Sequence, residues 1–127
     1  MGFGKWTLEN EPPPRESIEV GAVSGAFFMM DRHAFRSMGG FDEGYFLHVE
    51  DVDLCRRVLK AGGSVVYQPH AGALHYGSTS DIPSDAVIEH KGRSLVRYFR
   101  KFANGPLERL VVVLISPVMV RALRARR

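Results

Sequence analysis

The stretch GGFDEGYFLHVEDVDLCRRVL, Gly39 to Leu59, decides the fold, because a turn-forming segment there runs into a helical apolar repeat. Val52, Cys55 and Leu59 recur at the i, i+3, i+7 spacing of one helix face, and Leu54 and Val58, four residues apart, lie beside them. The pattern predicts a helix from about Val49 to Ala61 with that face buried. The glycine pair that follows is a typical helix end.

The first turn of this predicted helix is acidic, with Glu50, Asp51 and Asp53 close together. Carboxylates at this position suit the positive end of the helix dipole and serve as caps without any further function. They also stand where the rim of a pocket would lie. One of Arg56 and Arg57 is expected to pair with an acid one turn earlier.

Shorter elements surround this helix. The small, apolar run from Val20 to Met30 predicts a buried strand in which Gly25 lets the backbone approach a neighbour or a ligand. Asp31 is a candidate cap for a short helix, Arg32 to Met38. Ser64 to Tyr67 predicts a strand, and Ala71 to Tyr76 is a weaker strand candidate.

The C-terminal third changes character. An amphipathic helix is predicted from Asp85 to Ala103, broken by Asn104-Gly105-Pro106, and an apolar segment with a basic end follows. Up to His90 the chain has 7 basic and 13 acidic residues, a net charge of −6, and from Lys91 it has 10 basic and one acidic, a net charge of +9. The basic tail is expected to meet an anionic partner.

Length and composition allow one modest domain. The chain has 127 residues, 45% of them hydrophobic, and a single cysteine, Cys55, which excludes an intramolecular disulfide framework. The N-terminus lacks a basic start followed by an apolar run, so we expect no secretory signal and an intracellular location.

The segments GGFDE, EDVDLCRR, AGGSVVYQP and ALHYGSTS, in this order and spacing, resemble the acceptor-side half of family-two glycosyltransferases, particularly bacterial rhamnosyltransferase-like enzymes. The resemblance implies an α/β fold, the C-terminal portion of a Rossmann-like GT-A domain. It implies a short mixed sheet packed by helices and followed by C-terminal amphipathic helices. We expect an extended linker at 1–19, an acceptor-binding catalytic half at 20–84 and basic helices at 85–127.

The resemblance also assigns roles to residues. Asp51 matches the general base of an inverting transfer and Glu50 lies beside it, while His75 matches a histidine that ligates the metal, Mg²⁺ or Mn²⁺, or contacts the diphosphate. Further candidates for acceptor or donor binding are Gly25, Asp53, Arg56, His90 and Arg93. Asp53 also suits a structural role, and a solvated helix face is the alternative for His90 and Arg93.

One rival interpretation takes Asp51-Val52-Asp53 as the Asp-x-Asp metal motif of the nucleotide-binding half. That motif should follow an apolar strand, whereas this triplet opens a helix, so we reject it. A nucleotide-binding half is therefore expected to be missing, and the isolated chain to be inactive without it.

These features predict transfer of a sugar from a nucleotide-sugar donor to a glycan or polyprenyl-diphosphate-linked acceptor, in cell-surface polysaccharide synthesis. The alternative is a non-catalytic module that binds a membrane surface or nucleic acid, with the acids as helix caps. A nucleic-acid platform would interleave aromatic and basic residues, but the helical period places Phe99 and Phe102 with the core, so no nucleic acid is expected.

The apolar tail is expected to lie on a membrane rather than cross it. Only Leu110 to Val120 is free of charge, and eleven helical residues reach about 16 Å, roughly half of a hydrocarbon core. The arginines that follow favour an anionic surface. The sequence thus predicts a peripheral protein on the cytoplasmic face of the cell membrane.

Overall fold

The computed structural model describes residues 12–74 and 84–125. In chain order the elements are β1 (Ile18–Glu19), α1 (Arg32–Ser37), α2 (Glu50–Lys60), β2 (Val66–Tyr67), α3 (Ser84–Phe102) and α4 (Pro106–Ala125). The described residues divide into two compact units. One unit takes in residues 12–42 and 51–74, and the other takes in 43–50 and 84–125.

Helix α1 begins and ends as its sequence predicts. The Asp31 side chain caps it by accepting the Ala34 N–H at 2.9 Å. Gly39 and Gly40 end it with φ values of +78° and +69°, a conformation that glycine adopts without a steric penalty. Beyond this turn the Phe41 ring packs edge-on against Phe35, with centroids 5.5 Å apart.

Helix α2 is confirmed within a residue at each end, and most of its predicted face is turned inward. Leu54 and Cys55 are buried and Val52 and Val58 are half-buried, whereas Leu59 is 40% exposed. Asp53 is also buried, and it forms an ion pair with Arg57 one turn later. The predicted face is therefore confirmed at Leu54 and Cys55 and was wrong at Leu59.

The strand predicted from Val20 to Met30 does not form. Its middle turns at Gly25-Ala26, where the Ser24 hydroxyl accepts the Ala26 N–H, and pairing occurs earlier, in the segment expected to be a linker. There β1 pairs antiparallel with β2, Ile18 opposite Tyr67 and Glu19 opposite Val66. Only its first residue continues this pairing, because the Val20 N–H donates to the Val65 oxygen at 2.9 Å. In the described residues the rest of the run pairs with no strand, so it remains irregular.

The sheet also differs from expectation in size and direction. In the described residues it has two strands and is antiparallel, not mixed. The strand predicted over Ser64 to Tyr67 is reduced to β2, and residues 71–74 of the weaker candidate form no strand. Tyr76, the end of that candidate, lies outside the described residues. Helices with a small sheet are compatible with an α/β fragment.

Helices α3 and α4 form a helical hairpin. Asn104-Gly105 separates them as predicted, and Pro106 occupies the first position of α4, where its missing N–H costs nothing. The Glu108 carboxylate accepts the Asn104 N–H at 2.7 Å, and this bond, with those from the Asn104 amide, holds the pKa of Glu108 below its ordinary value. At mid-hairpin, Gly92 lies close to Val120.

Candidate active site

Asp51 stands in the first turn of α2 and is half-exposed. Its Oδ2 accepts the Gly25 N–H at 2.8 Å, and its Oδ1 accepts the N–H of the next residue, Val52, at 2.8 Å. Both oxygens are thus oriented by backbone donors. Each carboxylate oxygen has a second lone pair, so the group retains acceptor capacity for another proton donor.

Gly25 is required for this arrangement by space as well as by its N–H. A Cβ built on Gly25 would lie 3.3 Å from Asp51 Cβ and 3.4 Å from its Oδ2. These distances are tighter than ordinary van der Waals contact, so a side chain here would press on the carboxylate. The expectation that Gly25 permits a close backbone approach is met, and the neighbour is Asp51.

Glu50 is half-buried and precedes Asp51 at the helix start. Its Oε2 is shielded from solvent and makes no hydrogen bond. A buried polar atom without a partner costs free energy, on the order of 1–3 kcal/mol, and such atoms often mark a functional position. Because this oxygen is shielded, a hydroxyl or a cation reaches it only if the groups around it move.

Asp53 is fully buried and has a different environment from the two acids before it. Arg57 Nε donates to its Oδ2 at 2.7 Å, and the same guanidinium donates to the backbone oxygens of Met38 and Gly40. The pair therefore ties α2 to the turn that ends α1. This geometry favours the structural role for Asp53 and confirms that one of the two arginines pairs one turn back.

Cys55 lies on the buried side of α2, as expected of a core residue. Burial raises the pKa of its thiol above the ordinary value, and the negative charge of Asp51 raises this pKa further. A hydrogen bond with the Val23 backbone acts in the opposite direction. The thiol is therefore protonated at neutral pH and unsuited to nucleophilic chemistry.

The loop that leads into α2 holds unusual backbone conformations. His48 and Val49 have φ values of +64° and +77°, a region that a β-branched residue such as Val49 rarely adopts. Ser94 of α3 donates from its hydroxyl to the Leu47 oxygen at 2.8 Å and is itself buried. Strain of this kind persists where surrounding contacts enforce it, and it clusters at functional sites.

Further contacts with α3 fix the same loop. Tyr45 is buried, and the cations of Arg97 and Lys101 lie 5.4 and 5.8 Å from its ring centroid. The Arg97 guanidinium occupies the space that a side chain on Gly44 would need. Sequence reasoning missed these residues. Asp42-Glu43-Gly44 gave a turn signal, but nothing in the chain indicated which helix would cover Tyr45.

His90 and Arg93, both predicted binding residues, lie on one helix in different surroundings. The His90 ring packs against Phe46, with centroids 4.3 Å apart and a tilt of 34°, while Phe46 remains 75% exposed. Arg93 forms an exposed ion pair with Glu89 one turn earlier. The exposed ring of Phe46, which the sequence analysis did not single out, offers an apolar platform beside His90.

Two predicted residues add little to the described site. Arg56 is half-buried on α2. His75, the predicted metal ligand, lies outside the described residues, so the prediction stands as made. Within residues 12–74 and 84–125, no three His, Cys, Asp or Glu side chains are grouped as a metal ion would require.

Comparison with known proteins bears on the resemblance noted in the sequence. The chain is 45% identical over 91 residues to N-acetylglucosaminyl-diphospho-decaprenol L-rhamnosyltransferase of Mycobacterium tuberculosis (strain ATCC 25618 / H37Rv), a match covering 68% of this chain and 30% of that protein. Rhamnosyltransferase WbbL of Escherichia coli (strain K12) is 40% identical over 67 residues, with 50% and 25% covered. Pre-mycofactocin glycosyltransferase of Mycobacterium tuberculosis is 38% identical over 68 residues, with 53% and 14% covered.

The chain spans 30% or less of the length of these relatives. A match that covers 68% of the chain includes its central residues wherever it begins, and Asp51 is among them. No family model matches the chain. No solved structure matches it either.

Proposed function

We propose that this chain carries the acceptor side of a glycosyl-transfer site. The premise is that it belongs to a glycosyltransferase-like family together with the rhamnosyltransferases it matches. The observation that carries the proposal is the carboxylate of Asp51, half-exposed at the start of α2 and oriented by the Gly25 N–H. The backbone bond fixes the orientation of this carboxylate, and part of the carboxylate remains accessible to solvent.

Asp51 is the general base in this proposal. The acceptor hydroxyl oxygen forms a bond to the anomeric carbon of the donor sugar, and the bond from that carbon to the leaving diphosphate breaks. The hydroxyl proton passes to a free lone pair of the Asp51 carboxylate as the oxygen attacks. Attack on the face opposite the leaving group inverts the anomeric centre.

Glu50 orients the acceptor in the same proposal. Its unpartnered Oε2 is shielded here, and it becomes a hydrogen-bond acceptor for a second hydroxyl of the acceptor sugar once acceptor binding moves the groups that cover it. Bonding to a hydroxyl would remove the cost of the buried, unsatisfied oxygen.

A divalent cation, Mg²⁺ or Mn²⁺, is proposed to neutralise charge at the donor diphosphate. The described residues do not fit a complete metal site. The proposal therefore gives this chain a single ligand, His75, and assigns the others to a nucleotide-binding half. No role of Asp51 or Glu50 depends on that cation.

The relatives' names suggest the substrates. Two of them are rhamnosyltransferases, and the name of one specifies an N-acetylglucosaminyl-diphospho-decaprenol acceptor. For this chain we propose nucleotide-linked rhamnose as the donor and a polyprenyl-diphosphate-linked saccharide as the acceptor. The product would serve in cell-surface polysaccharide synthesis.

The test uses a chimaera that joins this chain to the nucleotide-binding part of the Mycobacterium tuberculosis relative, assayed for rhamnosyl transfer. Asp51→Asn is expected to lower turnover by about a hundredfold or more with little change in donor affinity, because only proton abstraction is lost. Glu43→Gln, another acid-to-amide change on an exposed residue, is the control. Near-normal turnover of Asp51→Asn would remove Asp51 from the role.

Gly25→Ala tests how Asp51 is positioned. Its Cβ would press on the carboxylate, so we expect turnover to fall about tenfold with the substrate KM nearly unchanged. Gly72→Ala is a matched control, since a Cβ there meets nothing within 4 Å. Equal turnover of the two variants would show that Gly25 does not position the base.

His75→Ala separates metal binding from base catalysis. It is expected to weaken Mn²⁺ and donor binding as well as turnover, since a ligand acts before the chemical step. Coincident metal titrations of variant and parent would exclude His75 as a ligand and leave the assignment of Asp51 intact.

A further inference from the structure

Helix α4 leaves a row of aliphatic side chains open to solvent. Leu107, Leu110, Val111, Leu114 and Val118 are between 47% and 73% exposed, and no residue of α4 is buried. Their spacing, i, i+3, i+4, i+7 and i+11, places them on one side of the helix. We call these five residues the open stripe.

The opposite side of α4 is the one that packs within the hairpin. Val112, Met119, Val120 and Leu123 are half-buried, and Val120 approaches Gly92 of α3. Helix α4 is therefore apolar on two sides, and α3 covers only one of them. A solvated helix facing only water would carry polar residues on the second side.

Cations border the open stripe. Arg100 and Arg109 line one cleft of about 520 Å³ at the turn of the hairpin, together with Leu110 and Val113 of α4. At the other end of α4, Arg121 and Arg124 are exposed. Glu108, the one acid of this helix, is already bonded to Asn104.

We propose that the α3–α4 hairpin binds the surface of an anionic bilayer, with the open stripe inserted among the lipid chains and a lipid phosphate held between Arg100 and Arg109. Aliphatic residues rimmed by arginines suit the boundary between acyl chains and headgroups. No described helix is long and apolar enough to cross a membrane, so the element lies along the surface.

The composition of the open stripe favours lipid over protein as the occupant. The anchor residues of protein interfaces are enriched in Trp, Tyr and Arg and poor in Leu and Val, and the open stripe contains only Leu and Val. The exposed arginines nearby complement a negative surface, and each is expected to raise binding about fivefold. This inference does not depend on glycosyl transfer.

The experiment is flotation of the full chain with phosphatidylcholine vesicles, with and without 30% phosphatidylglycerol, chosen as roughly the anionic content of a bacterial membrane. We expect binding to the anionic vesicles, release as salt rises, and little binding to phosphatidylcholine alone. Excess inorganic phosphate distinguishes a lipid phosphate from a free one. If it displaces the protein completely, or if both vesicle types bind equally, the proposal is wrong.

Variants test the two parts separately. Leu110→Ser with Leu114→Ser is expected to lower vesicle binding by about tenfold or more, whereas Leu74→Ser, also at an exposed leucine, leaves it unchanged. Arg100→Gln with Arg109→Gln is expected to lower binding to anionic vesicles about twentyfold or more. Arg15→Gln with Arg36→Gln, at exposed arginines of the other unit, is the charge-matched control.

These substitutions lie at exposed positions, and far-ultraviolet circular dichroism checks that the helices remain. Binding of both double variants at the parent's level would overturn the proposal. The proposal would also be overturned if Leu110→Ser with Leu114→Ser abolished self-association of the chain and left flotation unchanged. A second copy of the chain would then be the occupant of the open stripe.

Discussion

Helices α2 and α4 distribute charge and apolar surface in opposite ways. Helix α2 buries the carboxylate of Asp53 completely and leaves Leu59 partly in water. Helix α4 buries nothing and exposes five aliphatic side chains on one side. In α2 the inward charge is compensated by Arg57 within the same helix, whereas in the described part of the chain nothing covers the outer side of α4.

The difference indicates where each helix finds its stabilising partner. A buried acid is tolerated only when a cation and hydrogen bonds satisfy it, and Arg57 on the next turn of α2 donates to Asp53. The oxygens of Met38 and Gly40, on the turn after α1, accept other N–H groups of the same guanidinium and hold it in place. An exposed aliphatic stripe gains free energy only when something outside the hairpin covers it. In the two proposals made above, α2 accordingly carries a site and α4 binds a membrane surface.

The largest effect is expected from breaking the ion pair of α2. Arg57→Ala leaves Asp53 buried without this partner and releases the backbone oxygens of Met38 and Gly40. We expect the free energy of unfolding to fall by about 3–5 kcal/mol, measured by urea denaturation.

The control for this change is Arg36→Ala, at an exposed arginine in the last turn of α1. It is expected to change stability by about 0.5 kcal/mol or less. If the two variants unfold at the same urea concentration, the buried pair does not hold α2 to the turn after α1.

A smaller effect is expected on the inner side of the hairpin. A Cβ on Gly92 would lie 2.9 Å from Val120 Cγ2, which requires one helix to shift. Gly92→Ala gains helix propensity but introduces this overlap, and we expect a net loss of about 1 kcal/mol in the free energy of unfolding.

Val120→Ala supplies the second edge of a double-mutant cycle. Adding it to Gly92→Ala removes the overlapping methyl group, so the double variant should be more stable than the sum of the two single changes predicts. If the losses in the free energy of unfolding are additive, the two helices do not approach each other at this point. The side of α4 that packs on α3 would then be a different one, and so would the exposed side.

Sequence reasoning recovered the elements that local signals define. The Asp31 cap, the glycine ends of α1 and α2 and the break at Asn104-Gly105-Pro106 each depend on neighbours in the chain, and all were confirmed. The face of α2 was predicted correctly at Leu54 and Cys55, but the burial of Asp53 was not predicted because Asp53 counts as polar in any periodicity. Its partner Arg57 is held by the oxygens of Met38 and Gly40, which no local pattern reveals.

The residues of the candidate site also divide into those that local signals predicted and those that only the structure revealed. The sequence predicted that the backbone at Gly25 approaches a neighbour closely. It could not identify that neighbour as Asp51, because the two residues are 26 positions apart in the chain. Phe99 was expected in the core with Phe102, but it is 43% exposed because α4 covers only part of α3. The aromatic pair of Phe46 and His90 depends on a loop folding back on α3, so it was found only in the structure.

The smallest expected effect concerns the influence of the Asp51 charge on the Cys55 thiol, on the buried side of α2. Burial, and then the charge of Asp51, raise the pKa of the Cys55 thiol. The folded thiol is therefore protonated at pH values where an unfolded one ionises. It follows that the stability Cys55 contributes is present below the unfolded pKa and is lost as pH rises through the folded pKa.

Asp51→Asn removes one of the two causes. The pKa of Cys55 should fall, so more thiolate is present at a fixed alkaline pH, and alkylation by iodoacetamide should become faster. Glu19→Gln, at an exposed acid of β1 that does not contribute to this pKa, should leave the rate unchanged. An identical rate in Asp51→Asn and parent would mean that the carboxylate points away from α2, and an acid so placed would not be held by the Gly25 N–H. A faster rate in both variants would instead reflect general opening of the unit, which the urea midpoints of the same proteins would reveal.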